Sequence, residues 1–235
     1  MNDTETILAG YSTQEKSAYL GAIASLATAD RAASQEEVDH IKALAQAADL
    51  SDDQQEEIIN ASKGISGAEL KQYLDVLQNS EAKFSLIADI ITFAKVDNRY
   101  TEDEKNNIKQ IATYLQIDEN QFSLVDQFVN KATQNPGAAE QVRKPGFLES
   151  LGLKNKFDNA GINSGSFVNG LLGMLGPMIL GQILGRRGRS GSVLGQGRNP
   201  IPSGGGFGGL GSIFSMLNGA GSYGGIGNIL SRILK

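Results

Sequence analysis

Two short acidic stretches carry the residues of this chain best suited to chemistry. Asp30, Glu36 and Glu37 form the first, and Asp97, Asp103 and Glu104 form the second, 67 residues later. The same shift carries Ser34 onto Thr101. A hard divalent cation such as calcium takes about six to eight oxygen ligands from carboxylates, carbonyls and water. If internal symmetry brings the two stretches together, they offer six carboxylates. Neither stretch matches the EF-hand loop of about 12 residues, with its glycine and terminal glutamate. A cation site here would therefore be assembled by tertiary contact.

A second chemistry competes for the same residues. Ser34-x-x-Glu37 and Thr101-x-x-Glu104 both read as capping boxes, in which a hydroxyl and a glutamate satisfy the free amides of a helix start. Such a cap stabilises a helix by roughly 1 kcal/mol, and Glu36 and Asp103 would complement the helix dipole. Asp30 and Asp97 fall at the ends of the preceding helices, where a negative charge opposes the dipole. Capping does not account for them, and they are the sharpest indicators of a cation site. His40, the one histidine of the chain, has no evident ligand partners and reads as a surface or half-buried side chain. Asp52, Asp53, Glu56 and Glu57 read as the solvated opening of a helix after Ser51.

The apolar frame around the acidic stretches repeats in step. Ile23 maps onto Ile90, Ala27 onto Ala94, Ile41 onto Ile108, Leu44 onto Ile111 and Leu50 onto Ile117. Residues 12–134 are free of proline and helical in period almost throughout. Stripes at Tyr19–Ala27, Val38–Ala48, Ile58–Ile59, Leu70–Leu77, Phe84–Ala94, Ile108–Leu115 and Phe122–Val129 predict seven helices joined by short polar connections. That pattern specifies an all-α bundle built from two pseudo-repeats. Asn135-Pro136-Gly137 reads as the stop after the last helix.

Residues 10–134 resemble the tellurite-resistance TerB-like family. Its signature is a helix ending in Ala-Asp-Gly, an apolar residue two positions on, and then Ser/Thr and a Glu pair opening the next helix, in both halves of a seven-helix domain. The first copy here reads Ala29-Asp30-Arg31-Ala32-Ala33-Ser34-Gln35-Glu36-Glu37. The second reads Val96-Asp97-Asn98-Arg99-Tyr100-Thr101-Glu102-Asp103-Glu104. Arg31 and Asn98 replace the glycine, and Ala33 and Tyr100 take the apolar position. Asn accepts a left-handed backbone more readily than Arg, so the first turn is expected to differ in shape. The resemblance implies divalent-cation binding and a role in stress response, including metal or tellurite resistance, often at the inner membrane face.

Composition divides the chain. Residues 1–142 hold 11 Lys/Arg and 24 Asp/Glu, a net −13, whereas residues 143–235 hold 10 and 2, a net +8. Of the 29 glycines, 24 lie in the second part. The expected organisation is a helical domain at 10–134 and a glycine-rich, largely irregular tail at 135–235 with short apolar helices. The absence of cysteine excludes disulfides and thiolate chemistry, and no carboxylate pair has an evident nucleophile beside it, so an enzyme is not expected. The acidic start lacks the basic and apolar regions of a signal peptide, so a cytoplasmic protein is expected.

The tail is expected to bind a protein partner, to self-associate or to touch a membrane. Phe167–Leu184 holds 18 residues without a charge and is followed by Arg186, Arg187 and Arg189. Its nine Leu, Ile, Phe and Val residues favour insertion by about 3–5 kcal/mol in sum, against Pro177, Asn169, Gln182 and four glycines. Spacings of three and four at Leu210–Leu217 and Ile226–Leu234 suggest two short amphipathic helices. Nucleic acid is disfavoured as a partner, because aromatics are sparse among the arginines and the acidic domain repels phosphates. The alternative to a cation-binding module is a metal-free scaffold whose domain docks a partner and whose tail oligomerises.

Overall fold

The computed structural model describes residues 6–27, 35–62, 67–95, 102–134, 141–142 and 144–172. The expected helical bundle is present. Its first seven helices are α1 (Thr13–Ala27), α2 (Gln35–Ala47), α3 (Asp52–Ala61), α4 (Gly67–Leu77), α5 (Ala82–Ala94), α6 (Glu102–Tyr114) and α7 (Glu119–Thr133). Three short helices follow: α8 (Phe147–Ser150), α9 (Lys154–Asn159) and α10 (Ser164–Gly170). No strand occurs among the described residues. The tail islands at 210–217 and 226–234 lie outside them.

The duplication read from the side chains is kept by the backbone. Shifting by 67 carries the end of α1 onto the end of α5, the bounds of α2 onto those of α6, and the start of α3 onto the start of α7. The turns match bond by bond. Asp49 (φ +60°) and Gln116 (φ +57°) each place one left-handed residue after a helix. Leu50 N–H then donates to Ala45 C=O (3.2 Å), and Ile117 N–H to Ala112 C=O (2.9 Å). The N–H of Asp49 donates to Gln46 C=O, and that of Gln116 to Thr113 C=O. These are Schellman closures, which satisfy the last carbonyls of a helix. The next helix opens at once. Ser51 with Gln54, and Asp118 with Gln121, make complete capping boxes.

Each of the seven expected stripes faces one core. Tyr19, Leu74, Leu86, Ile87, Ile91, Phe128 and Val129 are fully buried. α1 packs on α4, α3 and α5, while α5 packs on α7, α6 and α10. Gly21 is needed where α1 meets α4, since a Cβ there would stand 2.5 Å from the Tyr73 ring.

The packing does not end where the composition changes. Val142, Phe147, Leu148, Leu151, Leu153, Phe157, Ile162, Phe167, Leu171 and Leu172 all belong to the same buried cluster as the bundle. Phe128 of α7 meets the rings of Phe147 (6.3 Å), Phe157 (6.3 Å) and Phe167 (4.9 Å) edge-on. Residues 144–172 therefore form a strap on the bundle, although charge and glycine content assign them to the tail. The uncharged run Phe167–Leu184 is divided in consequence: Phe167, Leu171 and Leu172 are core residues. Among the described residues no helix is long and apolar enough to cross a membrane.

Candidate functional site

Both acidic stretches join helices that occupy equivalent places. α1 ends at Ala27 and α2 opens at Gln35; α5 ends at Ala94 and α6 opens at Glu102. Glu36 and Glu37 are the second and third residues of α2, and Asp103 and Glu104 those of α6. That register suits the capping reading and also presents the carboxylates at helix starts. Asp30 and Asp97 lie outside the described residues, as do the side chains of Glu36, Glu37, Asp103 and Glu104.

The helices that precede the two stretches, α1 and α5, pack on each other. Ser80, just before α5, donates to Glu15 near the start of α1 (2.5 Å). Tyr19, further along α1, donates to Asp89, further along α5 (2.7 Å). Contacts that advance together on both helices mean that α1 and α5 run in the same sense. Their C-terminal ends, Ala27 and Ala94, consequently face the same end of the bundle. The six carboxylates are all hard oxygen donors, which fits a calcium-like cation and not a thiophilic metal.

Among the described residues no three His, Asp or Glu side chains are grouped to hold a metal ion. An open cleft of about 420 Å³ between α3 and α4 is lined by Asp53, Glu56, Glu57, Glu69 and Tyr73. It gives the domain a strongly acidic surface. Burial pushes the Tyr73 phenol up to about 12, with Glu57 and Glu69 adding to the shift. His40 is half-buried, and burial lowers its pKa. Its Nε2 has no hydrogen-bond partner, and among the described residues it takes no part in a metal-holding group.

A buried polar centre that the apolar stripes do not announce lies between α1, α5 and the strap. Asp89 is fully buried. Its Oδ2 accepts from the Tyr19 hydroxyl and from the backbone N–H of Leu172, both at 2.7 Å. Burial, and then the charge of Asp89, raise the Tyr19 pKa well above that of a free phenol, which keeps Tyr19 a donor. One turn earlier, Ser85 donates to Phe167 C=O (2.7 Å), and Tyr11 donates to Ser166 C=O (2.6 Å). Gln121 and Lys131 of α7 donate to Ala160 C=O (2.9 Å) and Leu151 C=O (2.6 Å). All of these bonds except Tyr19–Asp89 grip strap backbone. The signal available in sequence is the broken repeat: under the shift of 67, Ala18 becomes Ser85 and Ala22 becomes Asp89.

An all-α bundle made of two matched helical halves, whose matched helix ends flank the two acidic stretches of the sequence, defines the class of this domain. Residues 16–127 match the family model described as "Tellurite resistance protein TerB". The chain thus carries a TerB-like domain, and the strap and tail lie beyond the match. No curated protein and no solved structure gives a significant match to the chain.

Proposed function

We propose that the chain is a non-enzymatic TerB-like module that binds calcium or another hard divalent cation through its paired acidic turns. It serves stress response or tellurite or metal resistance, and its tail assembles it or holds it at a membrane face. The observation that carries this reading is the exact doubling of the helix ends about the two turns, on helices that run in the same sense. Asp30, Glu36 and Glu37 would supply one half of the ligand set, and Asp97, Asp103 and Glu104 the other.

Thermal melting with and without calcium or magnesium tests it. A cation bound only by the native state raises stability by about 2.7 kcal/mol at a hundredfold excess over Kd. Asp30→Asn and Asp97→Asn should remove that rise and leave the cation-free protein about as stable as before. Melting that ignores saturating calcium and magnesium would sink the cation reading.

What then stands is a metal-free scaffold. One observation favours it: this chain opens other helices with complete capping boxes, at Ser51–Gln54 and Asp118–Gln121. Glu37 and Glu104 hold the corresponding third positions of α2 and α6. In that case Glu37→Ala and Glu104→Ala weaken the protein by about 1 kcal/mol each through lost capping, with or without cation.

A further inference from the structure

We draw no further inference here: the strongest candidate, the open acidic cleft between α3 and α4 lined by Asp53, Glu56, Glu57, Glu69 and Tyr73, is a cluster of carboxylates, and nothing else among the described residues shows what ligand or partner would occupy it.

Discussion

Phe167→Ala separates a strap that is part of the folding unit from one that merely lies on it. Phe167 is fully buried, with its ring centroid 4.9 Å from that of Phe128 and 5.0 Å from that of Phe157. Truncating a buried phenylalanine costs about 3–5 kcal/mol in lost transfer energy and cavity. Edge-to-face ring contacts contribute roughly 0.5–1.5 kcal/mol each to such losses. For a folded unit of this size, about 2–4 °C of melting temperature is lost per kcal/mol, so the fall should be about 6–20 °C. Urea unfolding of the full-length protein, followed by helical circular dichroism, measures the change with its slope. A double cycle with Phe128→Ala should show a coupling of about 0.5–3 kcal/mol, since the rings touch. A loss under about 1 kcal/mol with no coupling would refute the single core. It would return residues 144–172 to the tail, where composition alone puts them.

Other consequences follow from the packing and the turns. Ser51→Ala and Asp118→Ala should each cost about 1 kcal/mol in urea unfolding, and by nearly equal amounts, since the two boxes have the same geometry; a large inequality would contradict the structural repeat. Gln116→Gly should stabilise by about 1 kcal/mol, because Gln116 holds φ +57° at the end of α6 and glycine carries no penalty there. Gly21→Ala should destabilise despite the better helix propensity of alanine, as its Cβ would stand 2.5 Å from the Tyr73 ring and overpacking costs about 1–3 kcal/mol; Tyr73→Ala in the same chain should relieve it. Burial lowers the His40 pKa in the folded state, so the unfolded chain takes up the proton first. Stability should be unaffected by this group above its ordinary value near 6.5 and should decline as pH falls below it; His40→Gln should flatten that decline between pH 7 and 5, and unchanged slopes would show that His40 is not its source.

The helices were legible because each buries one stripe, and the stripes of residues 12–134 repeat at the helical period. The register of 67 was legible because acidic, hydroxyl and apolar positions shift together. What stayed hidden has physical reasons. Asp49 and Gln116 end their helices in a left-handed conformation that sequence ordinarily announces with glycine. Ser85 and Asp89 sit within the apolar stripe from Phe84 to Ala94, and their partners are distant in sequence: Tyr19 some 70 positions earlier for Asp89, and strap backbone some 80 positions later for both. The strap itself has short helices of four, six and seven residues, too short to show a period. Its glycines and basic residues made it resemble the tail, although Phe147, Phe157 and Phe167 were spaced to anchor it.

The strap is better understood from what the duplication leaves out. In the first half α4 covers α1, with Leu70, Leu74 and Leu77 in the core. Under the shift of 67 these leucines become Gly137, Gln141 and Lys144. The second half therefore has no copy of the apolar stripe with which α4 closes the first. The face of α5 that would stay uncovered is the one that meets α10, where a Cβ on Gly170 would press against Ser85 at 2.3 Å. Residues from beyond the family match thus do for α5 what α4 does for α1, but with polar hooks in place of alanines. Ser85, Asp89 and Tyr11 bond the backbone of that replacement at Phe167, Leu172 and Ser166, contacts that Ala18 and Ala22 cannot make in the first half.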